Sequence, residues 1–283
     1  MFEELQLGIG EARLNFARGP RHGPPLLCLH GVFRRWQDYT PFIPYFTSRW
    51  QVHALDFHGH GSSGPREGYR VADYVDDAVS FLRSIPGEPV VVYGHSLGAM
   101  VACGAAAAAP ERVRAVVLED PPFDTLGPDI ERTPFHSQFA GMRRALQDCG
   151  NDVDSLCRAL AEVRITTPGG KVRMGDLRDV TQLRFTASCL VKIDPAVFDP
   201  LLAGQWLEGY DVERVLRGVR CPALLLAADG QAGGMMPADL VDRVERQLPH
   251  CFRVDLKGVP HNAHWADPTG IAKLTTGFLE SLR

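Results

Sequence analysis

The chain alternates short apolar runs with longer stretches of helical patterning. LLCL at 26–29, QVHAL at 51–55, VVVY at 90–93, VRAVVL at 113–118, ALLLA at 223–227 and FRVDL at 252–256 read as strands. Several lack polar alternation, as strands do when a parallel sheet is covered on both faces. Between them, 36–47, 71–85, 97–109, 238–247 and 268–282 carry helix-length patterning. Strand–helix–strand order predicts an α/β fold with a doubly wound, mostly parallel sheet. Residues 6–7 and 12–16 alternate better and predict an antiparallel edge hairpin turning at 8–10. The alternation stops between Pro122 and Arg217, a polar stretch too long to be a loop in a compact domain. It predicts a helical cap over 122–217, inserted after the sixth strand of a core made of 1–121 and 218–283.

Composition narrows the partners. Of 283 residues, 45% are apolar and 23% charged, the balance of an ordinary globular chain. The formal charge is −4 and no Lys/Arg block stands out, which argues against nucleic acid and anionic membrane as partners. No apolar run approaches the ~18 residues of a membrane span, and the first residues lack the basic and apolar regions of a signal peptide. Seven cysteines are scattered singly, without a CxxC pair. That usage predicts free thiols in a reducing, cytoplasmic compartment, with no disulfide frame and no zinc site.

Gly94-His95-Ser96-Leu97-Gly98 follows the VVVY strand and opens an alanine-rich helix. A strand that turns into a helix within about one residue forces its central residue into a strained conformation. The flanking positions are then crowded, and only small residues fit them. Ser96 reads as a nucleophile at such a turn, and a structural strand–turn–helix junction is the plainer alternative. The helix N-terminus presents unpaired N–H groups, the first being that of Leu97, to a developing oxyanion. His30-Gly31-Val32-Phe33 follows the LLCL strand, and the Val32 N–H is the expected second donor. His30 reads as a brace of that loop.

A general base is expected late in the chain. GVPHNAH at 258–264 offers His261, just after the turn, and His264 one helical turn on, to which a supporting or packing role falls. The other eight histidines, His58 and His60 among them, read as surface or loop residues without chemistry. An acid partner has two candidates at this point: Asp120 after the 113–118 strand and Asp229 after the 223–227 strand.

HGVF at 30–33, DFHGHGSS at 56–63, GHSLG at 94–98, LEDPP at 118–122, CPALLLAAD at 221–229 and GVPHNAH at 258–264 together resemble the α/β-hydrolase fold family over nearly the whole chain. The resemblance implies a Ser–His–acid triad and two-step acyl transfer with no metal or organic cofactor. Most members of that family carry the acid after the penultimate strand, where the pattern laid on Pro222 meets Gln231, with Asp229 two residues early. Pancreatic-type lipases and certain lactonases carry it after the earlier strand, the position of Asp120. Asp120 is therefore the expected acid and Asp229 a loop cap. The family's usual arginine in the 56–63 stretch is here His58. The expected substrate is a small carboxylic ester or lactone. The alternatives are carbon–carbon bond hydrolysis by the same triad and ligand binding without hydrolysis. Dehalogenases and epoxide hydrolases of this fold are disfavoured, because they place Asp at the elbow. Phe33, Phe123, Phe135, Phe139, Met142, Met235 and Met236 are candidate lining residues.

Overall fold

The computed structural model describes residues 2–9, 12–167 and 169–282. The chain runs β1 (Glu3–Ile9), β2 (Ala12–Arg18), β3 (Pro25–Leu29), β4 (Gln51–Leu55), α1 (Val71–Ser84), β5 (Val90–His95), α2 (Leu97–Ala108), β6 (Val113–Glu119), α3 (Pro134–Cys149), α4 (Val153–Glu162), β7 (Arg164–Thr167), β8 (Gly170–Arg173), α5 (Met174–Leu177), α6 (Val180–Leu190), α7 (Phe198–Leu202), α8 (Val212–Gly218), β9 (Ala223–Ala228), α9 (Ala238–Gln247), β10 (Cys251–Leu256), α10 (Ala263–Ala266) and α11 (Pro268–Ser281). Eight strands form one sheet in the order β1-β2-β4-β3-β5-β6-β9-β10. From β4 to β10 neighbours are parallel, while β1–β2 and β2–β4 are antiparallel.

The apolar runs explain this order. Successive strand residues face opposite sides of a sheet. Leu26, Cys28, Val91, Tyr93, Val117 and Leu226 join one buried cluster with Ile271 and Phe278 of α11. Leu27, Leu29, Val92, Val116, Leu118 and Leu225 join another with α1, α2, α8 and α9. Each central strand is thus apolar on both faces. Ala99, Ala102, Ala105 and Ala106 of α2 lie buried, and their short side chains let the helix sit close to β5 and β6.

Two local expectations need correction. In place of one helix over 36–47 there are two 3-10 turns, Trp36–Tyr39 and Ile43–Tyr45. Pro41 and Pro44 remove the N–H donors that a continuous helix needs. The expected edge hairpin is the β1–β2 pair. Gly8 lies within β1, and the expected turn at 8–10 reaches residue 10, outside the described residues.

Between β6 and β9 the main sheet receives no strand among the described residues. This stretch is chiefly helical but also holds the β7–β8 hairpin, which pairs antiparallel by itself. Its segments RITT and GKVR are too short and polar to show a strand period. Its last helix ends at Gly218, one residue beyond the expected boundary. No helix among the described residues is long and apolar enough to cross a membrane.

A buried charge cluster ties the sheet to the C-terminal segment. Glu119, the last residue of β6, accepts from His264 Nδ1 at 2.9 Å and from the His264 backbone N–H at 3.1 Å. Tyr93 also donates its hydroxyl to Glu119. On its other side, His264 Nε2 lies 3.4 Å from Asp38 Oδ2, an electrostatic contact not aligned as a hydrogen bond. All three ionisable side chains are fully buried. Burial alone would lower the His264 pKa, but the charges of Glu119 and Asp38 outweigh it and raise the value to about 10. Burial likewise opposes ionisation of Glu119, and the neighbouring histidines hold its pKa below the usual carboxylate range.

Removing one partner of a buried pair strands the other charge. His264→Ala is therefore expected to cost about 3–5 kcal/mol in urea unfolding at pH 7. The folded state keeps His264 protonated up to about pH 10, against 6.5 for the unperturbed group. A raised folded-state value means the contribution is complete below the unfolded pKa and is lost as pH rises through the folded one. Wild-type stability should accordingly fall from about pH 6.5 towards pH 10. The double variant Glu119→Gln/His264→Gln should lack that component of the slope.

Candidate active site

Ser96 sits at the junction of β5 and α2 with φ 55° and ψ −118°. This left-handed backbone costs on the order of 1–3 kcal/mol for a residue with a Cβ, and only a rigid frame sustains it. Crowding supplies the frame. A Cβ on Gly94 would overlap the Gly98 carbonyl, and one on Gly98 would overlap the Leu29 carbonyl of β3. The two glycines of the motif are therefore positions of close backbone approach. Phe33 and Asp120 also have positive φ, 63° and 44°. With Phe123 at 33°, four strained residues thus belong to the elbow and the two loops beside it.

The 30–33 loop lies over the serine. A Cβ on Gly31 would stand 3.2 Å from Ser96 Cβ and 3.0 Å from His95 Nδ1. The Val32 N–H has no acceptor among the described residues. The Leu97 N–H opens α2 and has no intrahelical acceptor by geometry. Two histidines hold the loop. His30 Nε2 accepts from the Phe57 N–H at 3.1 Å, which leaves Nδ1–H to donate to the Gly31 carbonyl at 2.7 Å. His60 Nε2 accepts from the Phe33 N–H at 3.3 Å, and its Nδ1–H donates to the His58 carbonyl at 3.0 Å. Both are fully buried, and burial lowers both pKa values, which preserves the neutral form these bonds require.

His58 and His60 do lie in a loop, as the sequence suggests, but both are fully buried rather than at the surface. His58 is buried between Tyr69 and Tyr74 and pairs with Asp77, which also receives Arg66. Neither the spacing nor the composition of 56–63 carries a cue for that burial, because it depends on α1 crossing the loop.

His261 Nδ1 lies 2.6 Å from Asp120 Oδ2. Asp120 is fully buried and is also pinned by two backbone donors, Met235 N–H to Oδ2 at 2.8 Å and Ala228 N–H to Oδ1 at 3.3 Å. With Nδ1–H directed at the carboxylate, the lone pair of His261 resides on Nε2. Asp229 has a different set of contacts. Its Oδ1 accepts from Gln231 N–H at 2.9 Å and its Oδ2 from Gly258 N–H at 2.8 Å, so it clamps the turns after β9 and β10. His264 points into the charge cluster. His95 is buried with its pKa lowered by burial to about 3, and its Nε2–H donates to the His261 carbonyl at 3.1 Å.

A cavity of about 690 Å³ opens on this arrangement, within the range of small-molecule sites. Ser96, His261 and Val32 line it, as do Phe33, Phe135, Phe139, Met142 and Met235. Phe123 and Met236 were expected there as well but belong to the buried core. Arg34, Arg178, Gln182 and Thr186 also line it, and nothing in their sequence spacing pointed to them. Asp38, His95 and His264 are the described residues with donor atoms converging within 4.8 Å of one another. Asp38 and His264 are an ion pair in that group, and His95 joins them by ring packing against His264 at 5.0 Å.

Comparisons with known proteins follow the same lines. A "2-(acetamidomethylene)succinate hydrolase" of Mesorhizobium japonicum is 35% identical over 120 residues, 42% of this chain and 43% of that protein. The segments matching the first of the curated relatives cover between 39% and 43% of those proteins' lengths. A "pimeloyl-[acyl-carrier protein] methyl ester esterase" of Xanthomonas campestris pv. campestris is 26% identical over 92% of this chain and 97% of its own. The crystal structure of an E-2-(acetamidomethylene)succinate hydrolase superposes with a TM-score of 0.68 at 23% identity, over 99% of this chain and 100% of that one. At that identity it speaks to the fold. The family model described as the alpha/beta hydrolase fold matches residues 24–170, more than half the chain. With that match, a parallel sheet in this strand order and a strained serine between β5 and α2, the chain belongs to the α/β-hydrolase fold family.

Proposed function

We propose that the protein is a serine hydrolase acting on a carboxylic ester or lactone, with Ser96 as nucleophile, His261 as general base and Asp120 as the orienting acid. The observation that carries this reading is the 2.6 Å contact between His261 Nδ1 and Asp120, with Ser96 and His261 facing one cavity. In the first step Ser96 Oγ attacks the carbonyl carbon while His261 Nε2 takes its proton. The oxyanion is held by the Val32 and Leu97 N–H groups. The imidazolium returns the proton to the leaving oxygen, and Asp120 stabilises its charge. Water, deprotonated by the same nitrogen, then releases the acyl group and restores Ser96.

The relatives' names support a hydrolytic reaction, since one denotes a succinate hydrolase and another a methyl ester esterase. The inserted 122–217 segment acts in this reading as the cap that shapes the cavity, through Phe135, Phe139, Met142 and α6. Its connection to the oxyanion loop supports that role. Arg34 Nη1 donates to Thr186 Oγ1 at 3.0 Å and Arg35 Nη2 to Ser188 Oγ at 3.3 Å, so α6 and the loop are positioned together.

Ser96→Ala should lower kcat on an activated ester by roughly five to six orders of magnitude with the fold intact by circular dichroism. Turnover near wild type in the folded variant would refute the nucleophile. Asp120→Asn should lower kcat by about 10⁴ by loss of the productive tautomer. Asp229→Asn, which alters only a turn clamp, should cost less than about tenfold, because Asp229 neither orients nor polarises a reacting group. Steady-state kinetics of both variants on one ester decides the acid, and the reverse ranking would transfer the role to Asp229.

A further inference from the structure

The acyl-transfer steps employ no arginine. Yet the cavity holding Ser96 and His261 is lined by two arginines, Arg34 and Arg178, and by no aspartate or glutamate among the described residues. The chain as a whole carries a formal charge of −4, so this cationic interior runs against the overall balance.

The two arginines differ in their surroundings. Arg34 Nε lies 3.9 Å from Asp38 Oδ1, and its Nη1 is occupied by Thr186. Asp38 and Glu119 are two negative charges, and His264 and Arg34 are two positive ones, so the buried cluster is neutral with Arg34 included. Arg178 stands outside it. Among the described residues no carboxylate comes within ion-pair distance of its guanidinium. Its side-chain contact is from Nη1 to the Met174 sulfur at 4.0 Å, and a thioether is a weak acceptor. Arg178 is partly buried, and burial together with the charge of Arg34 lowers its pKa to about 10, still cationic at neutral pH. A partly desolvated guanidinium without a counter-ion is unfavourable unless something supplies one. Its planar fork matches the two oxygens of a carboxylate.

We propose that the cavity binds a substrate bearing a carboxylate, with Arg178 as its principal ion-pair partner and Arg34 as a second cationic wall. The scissile carbonyl at Ser96 and the carboxylate at Arg178 then belong to one small molecule. The reaction of that molecule rests on the acyl-transfer reading above, whereas the anion site does not.

The experiment compares monomethyl succinate, glutarate and adipate with neutral methyl alkanoates of equal chain length. The enzymes are wild type, Arg178→Gln and Arg178→Lys, each checked by circular dichroism. Wild type should favour the acid ester of best-fitting length by about tenfold or more in kcat/KM, the scale of one charged hydrogen bond. Arg178→Gln should reduce that preference to within about twofold, and Arg178→Lys, which keeps the charge but not the fork, should retain part of it. A wild-type preference for the neutral esters, or an acid preference that survives Arg178→Gln, would overturn the proposal. Isothermal titration of Ser96→Ala with the same acid esters separates the two readings. Binding that disappears in Ser96→Ala/Arg178→Gln supports the anion site even if wild type turns over none of the esters, in which case only the acyl-transfer reading falls. Absence of binding to Ser96→Ala overturns the anion site whatever the turnover.

Discussion

The contact of α2 with the ends of β3 and β5 is the constraint on which the site depends. Gly98 lies against the Leu29 carbonyl and Gly94 against the Gly98 carbonyl, with no room for a Cβ at either position. Ser96 is held between them at φ 55°. Relaxing that residue would lift α2 off the sheet and expose its buried alanines and valine. The burial of a whole helix thus sustains a conformation worth on the order of 1–3 kcal/mol in strain. The same close approach places the start of α2 beside the 30–33 loop, so Ser96 and the Leu97 and Val32 N–H groups are positioned by one packing event.

Charge is arranged in two layers behind and within the cavity. Behind it, Glu119 and Asp38 enclose His264, and the cluster joins β6, the 36–39 turn and α10. Glu119 and Asp120 are consecutive, and His261 precedes His264 by three residues. The buried pair Glu119–His264 therefore fixes the spacing of the same two segments that bring Asp120 to His261. A buried ion pair adds little to stability against an apolar replacement, but it gives a definite register between the elements it joins. Beneath the cavity floor, burial favours the neutral forms of His30 and His60 that their hydrogen bonds require, and within the cavity Arg178 remains the cation without a counter-charge.

Much of the fold was legible in the residues because burial on both faces leaves an unmistakable apolar run. The helix at Ala238–Gln247 and the strand at Gln51–Leu55 coincide with their expected limits, and the remaining core strands differ by one or two residues at an end. The failures have local causes. Two prolines break the 36–47 helix into 3-10 turns, and the β7–β8 hairpin is polar and outside the main sheet, where no apolar period marks it. Elbow, late histidine and both candidate acids were equally visible, because each follows a recognisable strand.

The sequence by itself determined the α/β order, the elbow serine and a short roster of titratable partners, since these depend on residues near one another in the chain. Which members of that roster meet was decided by tertiary structure. Asp120 and Asp229 leave neighbouring parallel strands at the same sheet edge, and only the course of the β9–α9 loop aims the Met235 N–H at Asp120 and the Gln231 N–H at Asp229. His264, His58 and His60 have no sequence mark of burial, because the elements that enclose them come from distant parts of the chain. Arg178 lies in a polar helical stretch where a charged residue is unremarkable. Its place in the cavity that Ser96 lines arises only when the inserted segment folds back over the sheet, which brings positions far apart in the chain to one cavity.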